Sequence, residues 1–524
     1  MKSVTPGLSK PLFCSAVLLA CLAPVAADAA AFASGDYAPS TYSSWTASTN
    51  IVIGNHATGS LTVNNSSTLS IAGANIGQNL SGVGTVTLSS GGTLNASSTF
   101  NVGNVGKGTL SVQSGSDLYT QTSYIAANSS GTTYASSATV TGNGSLWNNS
   151  STLYVGGNGN GTLNVLSGGS VVVGGSGQGL IIAGQSGSTS KVTISGANAS
   201  LDTQNGMNVG YRGNGTLEVL AGGSLTTTTT YGSAYIGRNL NSSGQVTVSG
   251  FGSSWISAGS INVGNPNNSQ PPYTGGANGT LNITDSAVVE AKNVYVDATY
   301  GTLNINTGGL LRINGGSLSG ITDLTGLNVE FINGAGGSYS SLTIDNGLNV
   351  SSGSTIAVSG TLDVTSTGTL GGNGQITGNV DNAGTVGPGN SPGTLTIDGD
   401  YTQDAAGTLD IELNGTTPGT EYDQLVITGN ASLDGTLDVS TLFGFDLVED
   451  MTFEILDIAG TRTGTFDGLN QGKRFGDYDG LALEIDYFGG DGNDVVLTAV
   501  TVVPEPTSLA PLAIGGLLIM RRRR

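Results

Sequence analysis

The sequence predicts an all-β chain: a β-solenoid, read as a right-handed parallel β-helix, with an irregular β cap and a short C-terminal hydrophobic helix. Three observations carry this reading. The phrase Val155-Gly156-Gly157-Asn158-Gly159-Asn160-Gly161-Thr162-Leu163-Asn164-Val165-Leu166-Ser167-Gly168-Gly169 returns as Val209-Gly210-Tyr211-Arg212-Gly213-Asn214-Gly215-Thr216-Leu217-Glu218-Val219-Leu220-Ala221-Gly222-Gly223, a shift of 54 residues. A second motif keeps the same period: Val140-Thr141-Gly142 with Leu146-Trp147, Ile194-Ser195-Gly196 with Leu201, and Val248-Ser249-Gly250 with Trp255. Two motifs per period give one unit per roughly 27 residues, inside the range of solenoid repeats. Third, each unit alternates apolar and polar residues, as in Thr162-Leu163-Asn164-Val165, and Gly-rich turns bound it.

Composition agrees. The chain has 524 residues, of which 86 are Gly, while charged residues make up only 10%. Val, Ile and Leu recur in register among Gly, Ser, Thr and Asn, which distinguishes the chain from an unstructured low-complexity segment. Backbone groups in such a chain find partners in ladders between stacked coils. The net charge is −20 and unevenly placed. About four acids fall between Phe32 and Thr284, against about 21 between Asp398 and Val503. An acidic surface argues against nucleic acid as a partner.

In chain order, residues 1–29 read as a signal peptide, with Lys2 and Lys10 ahead of an apolar run and small residues around Ala27-Asp28-Ala29. Both cysteines, Cys14 and Cys21, lie in it, so the mature chain would carry no thiol or disulfide. Residues 30–50 read as an N-terminal cap or arm covering the first exposed ladder. Repeats fill 51–397, about 13 to 15 coils, or a rod of about 65 Å at about 4.8 Å per coil. Residues 398–501 read as an acidic C-terminal β cap, and 502–524 as a tail with an apolar run and four terminal arginines. Within the repeats, Pro266-Asn267-Asn268-Ser269-Gln270-Pro271-Pro272-Tyr273-Thr274-Gly275 lengthens one turn. Insertions in a solenoid map to loops, often on the binding face, so Pro266, Pro271, Pro272 and Tyr273 mark a candidate contact loop.

The tail, Val503-Pro504-Glu505-Pro506, an apolar run from Leu509 to Met520, and Arg521, Arg522, Arg523 and Arg524, resembles the PEP-CTERM sorting tail of Gram-negative bacteria. That resemblance implies an exosortase as partner, and association with exopolysaccharide or biofilm. It also implies export through the inner membrane, transient anchoring there by the C-terminal helix, then a cell-surface or extracellular location. The Gly-Thr-Leu phrases and the junction Gly378-Asn379-Val380 through Gly387-Pro388-Gly389-Asn390-Ser391-Pro392-Gly393 resemble autotransporter passenger domains of the pertactin-like type. The chain departs from that family in having the tail where a translocator barrel would stand.

Chemistry is sparse. Polysaccharide lyases and hydrolases on β-helices need acidic pairs or calcium carboxylates with a Lys or Arg base. Between Ile51 and Gly279 the acids are Asp117, Asp202 and Glu218, and the bases Lys107, Lys191, Arg212 and Arg238 are scattered singly. The sole histidine, His56, reads as a surface turn residue. Gly489-Gly490-Asp491-Gly492-Asn493-Asp494-Val495-Val496-Leu497 matches one calcium-binding RTX nonapeptide, which makes Asp491 and Asp494 weak metal candidates, but one copy supplies only part of a Ca²⁺ shell. No other cofactor is expected. Trp147 and Trp255 share one repeat position with Leu201 and read as interior residues. The expected function is a non-enzymatic structural or adhesin-like rod contacting exopolysaccharide or neighbouring cells. The alternatives are a polysaccharide-degrading enzyme and a calcium-dependent adhesin.

Overall fold

A computed structural model describes residues 31–502 except 129–134, 175–177, 230–231, 266–275, 322–323 and 443. The architecture is all-β and largely parallel. Among the described residues the strands fall in an 11-stranded, a 26-stranded and a 13-stranded sheet. Each coil between Thr58 and Ile305 gives one strand to the first sheet, turns, and gives the second sheet two short segments separated by a bend, as Gly161–Leu166, Gly169–Val173 and Leu180–Ile182 do. The next coil repeats the path one ladder away.

Register explains why the repeat has the residues it has. In the first sheet one inward column runs Leu61, Val86, Leu110, Ala138, Leu163, Val192, Leu217, Val246, Leu281 and Leu303, each paired with the next. The outward column beside it runs Ser60, Thr85, Thr109, Ser137, Thr162, Lys191, Thr216, Gln245, Thr280 and Thr302. Side chains alternate across a strand, so a period of two in sequence becomes one apolar and one polar face. The buried apolar residues form one continuous cluster from Trp45 to Ala499.

Trp147, Leu201 and Trp255 stand in a single column of the second sheet, with Leu118, Val171, Leu225 and Val289 between and around them. Both tryptophans are fully buried. An indole N–H in a core needs an acceptor, and the preceding rung supplies one: Trp147 Nε1 donates to Thr120 Oγ1 (2.9 Å) and Trp255 Nε1 to Thr227 Oγ1 (3.4 Å).

Beyond Ile305 the rungs shorten. Leu311, Val329 and Leu348 are successive partners only 18 and 19 residues apart, which is why the sequence period loosens there. The first sheet ends at Gly301–Ile305, and the third sheet begins at Gly336–Tyr339, while the second continues through both halves. Antiparallel strands cover the first two sheets at the N-terminal end and the third sheet at the other. Ala31–Gly35 pairs with Thr58–Val63, and Tyr37–Ala38 with Asn50–Ile53. At the other end Arg474–Tyr478, Leu481–Gly489 and Asp494–Thr501 form an antiparallel meander laid on Thr452–Ile458. Reversing direction removes the template that an open parallel edge would offer to another chain.

The expected C-terminal hydrophobic helix requires correction, and with it the transmembrane helix and the transient membrane anchor. Among the described residues the only helix is a 3-10 turn, Tyr42–Ser44, and none is long and apolar enough to cross a membrane. The apolar run that suggested it is about 12 residues, about 18 Å as a helix against a hydrocarbon core of about 30 Å. That run, the residues 503–524 around it and the leader 1–29 lie outside the described residues.

Tight coil stacking also sets the turns. Gly210 has φ +72°, and a Cβ there would lie 2.2 Å from the Ser243 carbonyl oxygen of the next rung. Gly222 has φ +83° but open space around it. Gly222→Ala is expected to cost only the left-handed backbone penalty, about 1 kcal/mol. Gly210→Ala adds a clash with immovable backbone, about 1–3 kcal/mol more. Denaturant unfolding of the two variants measures the difference; equal losses would contradict the stacking geometry.

Candidate functional site

The second segment of each coil in the second sheet places one side chain per rung on its outer face, although Ile181 and Asn208 in that column are buried. That column runs Asn75, Asn101, Tyr124, Tyr154, Ile181, Asn208, Tyr235, Asn262 and Tyr295. Tyr124 and Tyr154 stack face to face, centroids 4.5 Å apart and planes within 3°. The turn that follows carries a row of amides linked from coil to coil. Asn79 Nδ2 donates to Asn55 Oδ1 (2.8 Å), Asn104 to Gln78 (3.1 Å), Asn128 to Asn104 (2.7 Å) and Asn158 to Asn128 (3.3 Å). An amide both donates and accepts, so a stack of them satisfies itself and still points spare groups outward. Tyr124, Tyr154, Asn128, Asn158 and Gln185 line an open cleft of about 430 Å³ between the two rows.

Further along the same turn the amides give way to cations. Arg212 lies 5.5 Å from the centroid of the Tyr211 ring; Arg238, one rung on, lies 5.6 Å from Tyr211 and 4.6 Å from Tyr235. Arg238 Nη1 donates to Asn208 Oδ1 (2.7 Å). Along the sequence Arg212 and Arg238 are scattered singly. Aligning each Gly turn by rung, rather than by the 54-residue double unit, places Tyr211 and Arg238 in one column and reveals the cluster.

The remaining candidates are dispersed. Asp117 and Asp202 stand about three rungs apart, roughly 14 Å at about 4.8 Å per rung. That exceeds the spacing of glycosidase carboxyl pairs, about 5–9.5 Å. Burial raises the pKa of both. Glu218 is held by Lys191 (2.8 Å) in a surface pair. His56 Nε2 lies 3.2 Å from Asn79 Nδ2. The Asp36 carboxylate accepts the backbone N–H groups of His56 and Ala57, which lowers its pKa and fixes the turn rather than the imidazole. The Pro266, Pro271, Pro272 and Tyr273 loop lies outside the described residues; an antiparallel bridge between Asn265 and Ala277 joins its two ends.

Asp491 and Asp494 sit in the turn between the last two strands of the cap. Asp494 is buried, its Oδ1 accepting the Ile458 N–H (2.7 Å) and its Oδ2 the Asp491 N–H (3.2 Å). Asn493 Nδ2 donates to the Ile458 carbonyl (2.7 Å) and to that of Gly460. Both Asp494 carboxylate oxygens are committed to backbone donors, so the nonapeptide latches the cap onto the strand Thr452–Ile458. Among the described residues no group of three or more His, Cys, Asp or Glu is placed to hold a metal ion.

Carboxylates also stack along the acidic half. Asp381 follows Asp363 in one outward column, and Asp438 follows Asp410 in another. Burial and the neighbouring charge raise the pKa of Asp363 and of Asp410. Among the carboxylates the largest shift belongs to Asp423, which accepts the backbone N–H groups of Gly393 (2.7 Å) and Glu412 (2.9 Å) and thereby ties the Gly-Pro-Gly-Asn-Ser-Pro junction to the next coil. Burial outweighs these bonds and pushes its pKa up to about 6.

No protein-family model matches the chain, and no curated protein matches it.

Raised carboxylate pKa values mean that the folded chain binds more protons than the unfolded one between about pH 4 and pH 6. This stabilisation is complete below the unfolded pKa and is lost as pH rises through about 6. The melting temperature is therefore expected to rise on going from pH 7 to pH 5. Asp423→Asn should flatten that slope whatever its effect at a single pH. A slope unchanged in the variant would show that Asp423 does not carry it.

Proposed function

We propose that this chain is a structural rod of the extracellular matrix or cell surface, holding exopolysaccharide or a neighbouring surface by many weak polar contacts. The observation that carries the reading is the outward order of the coils. One rung after another presents Thr, Ser and Asn on the first sheet and Asn, Tyr and linked amides on the second. Hydroxyls and amides with spare donors and acceptors, beside aromatic rings, are the groups that sugars engage, and a stiff array converts weak contacts into avidity. The Val503-Pro504-Glu505-Pro506 tail with Arg521 to Arg524 supports sorting by an exosortase.

Rung number is the variable to change. Val155, Ile182 and Val209 are successive residues of one column, so deleting 155–208 removes two coils and rejoins the chain in register. The shortened protein is expected to keep its β-sheet circular dichroism. It should also co-sediment more weakly with polysaccharide across a panel of cellulose, dextran, alginate and polygalacturonate. Retention of none of these polymers would refute the reading, as would undiminished binding by the shortened rod. New reducing ends or unsaturated uronate absorbance during incubation would favour a degrading enzyme instead.

A further inference from the structure

The geometry points to a carboxylate-recognition site at Arg212 and Arg238, which would select uronate-bearing polysaccharides over neutral ones; this deepens the polysaccharide reading and rests on it. Three observations converge here. First, two guanidinium groups share one aromatic ring: Arg212 and Arg238 lie 5.5 and 5.6 Å from the Tyr211 centroid. Two cations gathered around one ring make a local positive patch, and each exposed cation–π contact returns only about 0.5–1 kcal/mol. A carboxylate docking at that patch would offset its charge. Second, among the described residues neither arginine makes an ion pair. Lys191 and Glu218 neutralise each other instead, and Arg312 is held between Glu290 and Glu330. The acidic half of the chain begins many rungs away, beyond the screening length of about 8 Å at physiological salt.

Third, the pair is pre-organised. Asn208 Oδ1 accepts from Arg238 Nη1 (2.7 Å), and the Tyr235 ring lies 4.6 Å beneath the Arg238 guanidinium. The turns below and above are fixed by Asn239 Nδ2 on the Tyr211 carbonyl (2.5 Å) and Asn265 Nδ2 on the Arg238 carbonyl (2.7 Å). With one N–H donated to Asn208, the Arg238 guanidinium retains further N–H donors, and such a planar fork can bind a carboxylate with two parallel hydrogen bonds. The tyrosines add apolar surface for a pyranose ring. Arg212 and Arg238 sit on neighbouring rungs, about 4.8 Å apart along the rod, and a pyranose unit in an extended chain has a comparable length. Successive uronates of a polymer lying along the rod could therefore meet the two cations in turn.

The test is calorimetric titration of the full chain with hexagalacturonate and, separately, with the neutral cellohexaose. Hexagalacturonate is expected to bind, more weakly as salt rises. Arg212→Gln and Arg238→Gln should each weaken it about tenfold. Arg238→Lys, which keeps the charge but loses the fork, should fall between wild type and Gln. Both arginines are at least partly exposed, so melting temperatures should stay close to wild type, and a variant that melts normally but binds normally counts against the site. Equal affinity for the two hexasaccharides, or hexagalacturonate binding unchanged in the double Gln variant, would overturn the inference. In those cases polymer co-sedimentation would still proceed and the rod reading would stand. Loss of co-sedimentation with every polymer would instead remove the reading on which the inference rests.

Discussion

Every feature of this chain depends on one constraint: each residue must fit beneath its counterpart on the next coil. The parallel ladder pairs Leu163 with Ala138 on one side and Val192 on the other, so a residue is chosen for two neighbours of the same kind. No coil can bury its apolar side chains alone, and stability belongs to the interfaces between coils. The same constraint governs polar groups. Thr120, Asn149 and Trp147 meet in the core only because adjacent rungs bring donor and acceptor together, Thr120 Oγ1 giving its proton to Asn149 Oδ1 (2.9 Å) while accepting that of Trp147.

A stack of this sort fixes what the surface can be. Inward positions repeat because the core demands it, and outward positions repeat because they share the same backbone. The surface is therefore organised as columns, and chemistry that needs unlike groups close together must arise where a column changes composition. Two such places stand out. The amide row gives way to arginines at Tyr211 and Arg212, and neutral rows give way to stacked carboxylates at Asp363 and Asp381. The first joins aromatic rings to charge. The second raises the pKa of Asp363 through burial and the charge of its neighbour.

Period and alternation made the strands, the core columns and the interior place of Trp147 and Trp255 legible in the sequence, because these are properties of a single rung repeated. Contacts between unlike rungs were not legible. The clustering of Arg212 with Arg238 is hidden by a 54-residue period that spans two coils. The role of Asp494 was obscured by a motif that matches a calcium turn. Its oxygens are taken by Ile458 and Asp491, and Ile458 lies 36 residues away, on a strand running antiparallel to the one Asp494 begins. Likewise the raised pKa of Asp423 comes from burial beneath a loop whose path no periodicity records. The expected C-terminal helix rests on a short apolar run ahead of four arginines and on the resemblance of that tail, and the run falls short of the length a membrane span requires.

The most direct measurement of inter-coil stability is amide hydrogen exchange on Leu163→Asp, a fully buried position in mid-stack. A buried, unpaired carboxylate should open the interfaces around it. Protection should fall in Ser136–Thr141, Gly161–Leu166 and Thr189–Ser195, the strands in register with it, while Gly301–Ile305 and the capping strands Leu481–Gly489 and Asp494–Thr501 keep theirs. Loss of protection uniformly along the chain, or none anywhere, would contradict a structure held together rung by rung.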